Sequence, residues 1–249
     1  MLFRVTISFV IFFSSSVFAH SDIELKSVNW PFEGIFGTFD RKSAQRGFQV
    51  YKEVCSACHS MNHIYYRNLL NLGFSEEEIK ELAKSITVKD GPNEQGEYFE
   101  RPGVISDRFP NPYPNENAAR SANGGAVPVD LSLIVKARPN GANYIYSLLT
   151  GYADAPNGFE MMPGLVYNTY FPGHQIAMPQ PLSDGMVQYM DGTGSTVEQM
   201  SRDIVIFLQW AAEPEMEHRK EMGLKSLIFL FIFTIVFYRA KKRIWAKLK

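Results

Sequence analysis

YKEVCSACHSM, residues 51–61, contains both cysteines of this 249-residue chain, Cys55 and Cys58, with His59 immediately behind them. Four chemistries use such a trio. A disulfide between positions three apart on a helix closes almost no loop and makes a poor crosslink. A redox-active C-x-x-C wants a strand before it and a βαβ setting, whereas a helical pattern precedes this one. A zinc site needs about four ligands, and two cysteines with one histidine leave at least one unaccounted for. The remaining chemistry is covalent haem attachment, in which Cys55 and Cys58 each add to a haem vinyl group and His59 presents its imidazole to the iron.

Just upstream, Ala44, Phe48, Tyr51 and Val54 fall at spacings of four, three and three, which line one face of a helix over Ser43–Val54. Gly47 inside that helix costs propensity, so another backbone is expected to come close there. Further along, Ser75-Glu76-Glu77-Glu78 has capping-box spacing and opens a helix through Ile79, Leu82 and Ala83. Its acids suit the positive end of a helix dipole better than a docking patch. Ser195-Thr196-Val197-Glu198 reads as a second capping box, followed by Met200, Ile204, Phe207, Leu208 and Ala211 at helical spacing, with Met200 in the core. Glu213-Pro214 ends that helix. Between these elements Lys89–Pro128 is dense in Pro, Gly and Asn, which predicts a long irregular segment wrapped around something.

The chain ends set the compartment. Arg4, the apolar run Val5–Phe13 and the Val17-Phe18-Ala19 ending read as a secretory signal cleaved after residue 19. Residues 223–240 read as a transmembrane helix: Ser226–Tyr238 is apolar on every face, and Lys225 and Arg239 lie where they can snorkel outward. A buried core helix is the competing reading. The tail 241–249 is basic, with no acid, and so stays in the cytoplasm, leaving residues 20–222 outside. All 26 acidic residues lie in 20–222 against 17 Lys and Arg, a formal charge of −9 that favours a basic partner and disfavours nucleic acid.

The sixth coordination position of a haem iron separates electron transfer from catalysis, since an open position binds small ligands and a filled one favours electron exchange. His63, His174, His218, Met61, Met161, Met162, Met178, Met186 and Met190 are available. Met61 and His63 are too close to His59 in the chain to reach the opposite haem face, and His218 abuts the membrane. Met161, Met162, His174 and Met178 stay open as candidates.

Several segments together carry a family resemblance. Val54–Met61, Ala118-Ala119-Arg120-Ser121-Ala122-Asn123-Gly124-Gly125-Ala126, Pro128-Val129-Asp130-Leu131-Ser132 and Ser147-Leu148-Leu149-Thr150-Gly151-Tyr152 come first. Tyr170-Phe171-Pro172-Gly173, Ile176-Ala177-Met178-Pro179 and Trp210-Ala211-Ala212-Glu213-Pro214-Glu215 follow. In this order, from about Val28 to the C-terminus, the chain resembles the cytochrome c1 family, the haem subunits of the cytochrome bc1 complex. The resemblance implies a mostly α, class I cytochrome c-like domain with long loop insertions, plus one C-terminal transmembrane helix. It implies one covalently bound haem c, with Met178 as the sixth iron ligand opposite His59 and Arg120 at the haem propionates. A thioether ligand raises the potential, and a guanidinium offsets a buried propionate.

By the same resemblance the protein takes an electron from a Rieske iron-sulfur protein and passes it to a soluble or membrane-bound basic cytochrome c, beside cytochrome b in a dimeric complex. It makes and breaks no substrate bonds itself. The short leader suits a bacterial inner membrane with the main domain in the periplasm. Bacterial relatives often carry a further cysteine pair as a disulfide, and this chain has none. Two rivals stand from other classes: a membrane-tethered, peroxidase-like haem enzyme with an open iron, and a tethered thiol oxidoreductase.

Overall fold

The computed structural model describes residues 23–246, so the leader read at 1–19 and the last three residues of the basic tail lie outside it. Among the described residues the order of elements is α1 (Arg41–Glu53), α2 (Glu76–Lys84), β1 (Thr87–Asp90), β2 (Phe99–Pro102), α3 (Glu116–Ala122), α4 (Gly141–Leu149), β3 (Val166–Tyr167), β4 (Gln175–Ile176), α5 (Val197–Ala212) and α6 (Met216–Trp245). The strands form two antiparallel pairs, β1 with β2 and β3 with β4. Short 3-10 segments at Cys55–Ala57 and Tyr66–Leu72 follow α1.

The helix ahead of the cysteines begins at Arg41, where the Asp40 carboxylate accepts from the backbone N–H groups of Lys42 and Ser43. That bonding satisfies two donors a helix start otherwise leaves unpaired. Ser43, Ala44, Gly47, Phe48, Val50 and Tyr51 are buried, while Val54 is the C-cap. The buried stripe is thus wider than the sequence line through Ala44, Phe48 and Tyr51. It packs on α5, the helix at the other end of the domain. At the crossing a Cβ on Gly47 would stand 2.1 Å from the Asp203 carbonyl oxygen and 2.7 Å from Phe207 Cβ, so the close backbone approach expected from this glycine is present. Phe207 lies 5.7 Å from Phe48, 5.9 Å from Tyr51 and 5.6 Å from Trp210, and Phe109 closes the cluster 4.9 Å from Tyr66. These are ring separations at which aromatic pairs attract beyond simple burial.

Across the same crossing Arg46 donates from Nε and Nη2 to both oxygens of Asp203, at 2.8 and 3.0 Å. The Asp203 side chain is wholly buried, so this bidentate pair is what makes its charge tolerable there. The opening segment is strapped onto α4 without regular structure: Lys26 N–H donates to Ser147 Oγ, and Val28 N–H and Trp30 Nε1 both donate to Asn143 Oδ1.

Two sequence expectations change. The 89–128 segment is not wholly irregular, because it contains most of the β1–β2 hairpin and α3. An Arg101 guanidinium shared between Asp90 and Asp107 holds that hairpin to the loop after it. The cap of α5 is Thr196, whose hydroxyl accepts from Gln199 N–H, one position later than the Ser195 box. At α2 the box is as read: Ser75 and Glu78 bond reciprocally, and Glu76 pairs with Lys80 along the first turn. Helix α6 contains the 223–240 stretch and continues beyond it at both ends. Its 30 residues extend about 45 Å, beyond the ~30 Å of a bilayer's hydrocarbon. Its most apolar 18-residue window has mean hydropathy 1.8 and is not buried against the rest of the protein at all, which removes the core-helix alternative.

Candidate haem site

Cys55 and Cys58 sit on the 3-10 turn that α1 runs into, with Cys58 N–H and His59 N–H both donating to the Cys55 carbonyl at 3.1 and 2.9 Å. This tightening turns the chain back, so both sulfurs and the histidine ring leave from one short loop. The cysteines are unpaired. Burial, and then the neighbouring Cys58, pushes the Cys55 thiol up to about 12, so that thiol stays protonated at neutral pH. Among the described residues no cluster of three or more His, Cys, Asp or Glu is close enough to hold a metal ion, so the zinc reading finds no partner ligands.

The imidazole of His59 is oriented from behind. Its Nδ1 lies 2.8 Å from the Val129 carbonyl, and since a carbonyl only accepts, Nδ1 carries the proton and Nε2 keeps its lone pair. Burial disfavours the imidazolium and lowers the His59 pKa, against the opposing pulls of the Val129 carbonyl and the Asp130 charge. A neutral ring with a free Nε2 is the form that binds iron, and a carbonyl behind the ring is how such ligands are commonly held.

Asp130 fixes the carbonyl's loop to the cysteine loop. One carboxylate oxygen accepts from Ser60 Oγ and Asn62 N–H, both at 2.8 Å, and the other from Ser132 N–H at 2.8 Å. Leu131 N–H donates to the Ser60 carbonyl, and His63 N–H to Ser132 Oγ. Burial works to raise the Asp130 pKa, and the bonds from Ser132, Asn62 and Ser60 outweigh it, so the net shift is downward. Nothing in the sequence Pro128–Ser132 marks Val129 or Asp130 for a task. A carbonyl has no side-chain signature, and an Asp-x-Ser turn occurs in many loops.

Met178 follows β4 by two residues and is half-buried. Its position is set from α4. Asn168 Nδ2 donates to the Leu148 carbonyl at the end of that helix, Tyr152 bridges Asn168, and Thr169 N–H donates to the Gly151 carbonyl. Tyr152 Oη then donates to the Met178 carbonyl at 3.1 Å. Burial pushes the Tyr152 phenol up, so it keeps its proton and remains a donor at any ordinary pH.

The other candidates are accounted for differently. Met61 is fully buried in the core, as is Met200. Met162, Met186 and Met190 are exposed; His63 and His218 are exposed as well, and Met161 is partly so. His174 holds a left-handed backbone (φ 59°) in the turn between β3 and β4, with its ring stacked 5.7 Å from Tyr167 and its Nδ1 buried without a partner. Arg120, on α3, is exposed, and its contacts are long: 3.7 Å to Glu116 and 3.5 Å to the Gly125 carbonyl. Little restrains that guanidinium from turning to another anion.

The residue types present are ones that could hold a haem. Two unpaired thiols and a neutral, pre-oriented imidazole issue from one turn, and a soft thioether stands on a separately anchored hairpin. A mostly helical domain with Cys-x-x-Cys-His after its first helix, ending in one apolar helix of membrane length, has the pattern of a tethered c-type cytochrome.

Comparison with known proteins narrows that class. Residues 30–248 match the model of the cytochrome C1 family. The chain is 53% identical to "Cytochrome c1-2, heme protein, mitochondrial" of Solanum tuberosum, covering 93% of this chain and 89% of that one. It is 48% identical to cytochrome c1 of Rhodospirillum rubrum, over 91% of this chain and 89% of that one. It also matches, at 47% identity and over 87% of its own length, 35% of a longer Bradyrhizobium diazoefficiens protein named "Cytochrome b/c1". The chain belongs to the cytochrome c1 family.

Proposed function

We propose that this protein is a membrane-anchored c-type cytochrome that accepts an electron from a Rieske iron-sulfur protein and passes it to a basic cytochrome c, within quinol-cytochrome c reductase. Haem iron, when bound, supplies reversible one-electron exchange. Cys55 and Cys58 hold the group as thioethers, His59 Nε2 and the Met178 thioether ligate its iron, and Arg120 pairs with a propionate. The observation that carries this reading is the His59 arrangement: an imidazole with Nδ1 committed to the Val129 carbonyl and Nε2 free, behind two unpaired thiols. Membership in the cytochrome c1 family supports the electron-transfer role, and the b/c1 name of a longer relative supports cytochrome b as a neighbour; the complex is proposed to be dimeric.

The domain faces the periplasm of a bacterial inner membrane with the C-terminus in the cytoplasm. The basic residues Arg239, Lys241, Lys242 and Arg243 at the end of α6, with no acid among them, support that orientation.

An absorption spectrum of the ferrous protein with and without carbon monoxide tests the axial assignment. The expected spectrum is low-spin and unchanged by carbon monoxide in the wild type, and carbon monoxide-sensitive in Met178→Ala. Binding by the wild type would instead indicate an open iron and the peroxidase-like alternative. Haem extracted by acidified acetone would remove the thioether assignment.

A further inference from the structure

Residues 31–39 form a compact loop whose base is buried and whose tip is not. Trp30, Phe32 and Phe39 lie in the core, with Trp30 and Phe32 stacked at 5.5 Å. Thr38 N–H donates to the Pro31 carbonyl and closes the loop, and Gly37 N–H reaches the Gly34 carbonyl around the turn. Gly34, at φ 73°, takes a left-handed conformation that glycine adopts freely, and a Cβ on Gly37 would fall 2.0 Å from the Glu33 carbonyl oxygen. The two residues held at the tip between these glycines are Ile35 and Phe36, 72% and 80% exposed. A single exposed apolar residue needs no explanation. Two adjacent ones on a turn this constrained are a different matter, because the loop cannot fold them back.

The loop is fastened to α6, and its register along that helix gives the tip's height. Phe39 N–H donates to Glu217, which also takes both Nη atoms of Arg41. Two residues nearer the tip, the Gly37 carbonyl accepts from Lys220 Nζ at 3.0 Å, and on the opposite limb the Phe32 carbonyl accepts from the same Nζ at 2.7 Å. From Phe39 to Gly37 the contact therefore moves from Glu217 to Lys220, about one helical turn toward the apolar segment. Both limbs meet at Lys220, so residues 33–36 lie beyond that tether, and the next apolar residues along α6, Met222 and Leu224, are exposed. Lys225, next along the helix, marks the edge of the uncharged run; five residues separate it from Lys220, about 8 Å of helix. The headgroup layer of a bilayer is about that thick, and an apolar side chain at its inner boundary is favourably placed.

We infer that Ile35 and Phe36 enter the headgroup–acyl boundary of the membrane beside α6, forming a second attachment that fixes the tilt of the haem domain over the bilayer. The inference rests on α6 crossing the membrane.

Full-length holoprotein carrying Phe36→Cys is spin-labelled at that residue and placed in phosphatidylcholine–phosphatidylglycerol vesicles. With Cys55 and Cys58 taken up in thioethers, the new thiol is the reactive one. Collision rates with oxygen, which concentrates in lipid, are compared with those of a water-soluble nickel chelate. Labels at Phe233→Cys in the helix and at the exposed Val104→Cys serve as references, and Ile35→Cys replaces Phe36→Cys if that variant does not mature. The expected result is a severalfold higher oxygen-to-chelate ratio at the tip than at Val104, and a higher one still at Phe233. A tip ratio equal to that of Val104 while Phe233 reads as lipid overturns the inference and leaves the span intact. A Phe233 ratio equal to that of Val104 overturns both. A tip open to the chelate in vesicles but shielded from both reagents in the assembled complex overturns the inference in favour of a protein neighbour.

Discussion

Asp130 and Arg46 do related work at different places: each settles what a buried or half-buried charge needs. Asp130 takes three hydrogen bonds from the loop that carries Cys58 and His59 and from its own turn. Its pKa is lowered, so the folded state binds fewer protons than the unfolded one, and the stabilisation is complete above the ordinary value of 3.8. It is lost as pH falls below that value through the lowered folded pKa. Asp130→Asn should therefore cost about 1–3 kcal/mol at neutral pH and flatten the acid limb of a stability–pH curve below about pH 4, read by urea titration of the holoprotein. Arg46→Met strands the fully buried Asp203 carboxylate, leaving neutral donors such as Gln199 Nε2 in place of a bidentate guanidinium. A loss of about 3–5 kcal/mol is expected in the same titration, while a loss under 1 kcal/mol would mean that water reaches Asp203. The Cys55-x-x-Cys58-His59 motif stands out in the sequence because the covalent attachment proposed for it demands adjacent residues of rare type. Val129, Asp130 and Tyr152 did not stand out, because their bonds to the His59 loop and to Met178 reach partners 26 to 70 residues away.

At the level of elements, the helices that local rules govern were readable and their exact ends were not. The stripe through Ala44, Phe48 and Tyr51 declared α1, and Gly47 announced the contact with α5. Neither told that Asp40 would start the helix, since Asp at a cap and Asp in a solvated loop look alike. Around Lys89–Pro128 the prolines and glycines suggest wholesale irregularity; they instead bound an antiparallel hairpin to which Arg101 adds pairs with two aspartates, a pairing no periodicity reveals. At α5, Ser195 and Thr196 both have a Glu or Gln three residues on, and only the backbone decides between them. Thr196→Ala should accordingly lower domain stability by about 1 kcal/mol and Ser195→Ala leave it nearly unchanged, measured as paired denaturant midpoints. The helix crossing offers a sharper contrast. Gly47→Ala drives a methyl into the Asp203 backbone, which no side-chain rotation relieves, and should cost about 3 kcal/mol.

Taken whole, the molecule is electrically divided: a near-neutral chain in total, with −9 on residues 20–222 and its basic surplus gathered beyond Lys225. That division serves the proposed role on both sides of the membrane. In that proposal the basic end would hold the C-terminus on the cytoplasmic side, and the acidic domain would draw a positively charged electron carrier before any specific contact forms. Attraction of this kind acts on encounter rather than on the bound complex, so it predicts which rate constant responds to salt. The screening length falls from about 30 Å at 10 mM salt to about 8 Å at 150 mM, roughly from beyond the width of a small cytochrome to within it. Stopped-flow oxidation of the reduced holoprotein by a basic cytochrome c should therefore slow by about tenfold or more in its second-order constant over that range. The first-order electron transfer within the complex at saturation should hardly change. An acidic cytochrome c of similar potential should show the opposite salt dependence, gaining rate as repulsion is screened. Equal and flat responses for both carriers would mean that the acidic residues serve solubility alone, and the steering argument would fall while the haem assignment stood.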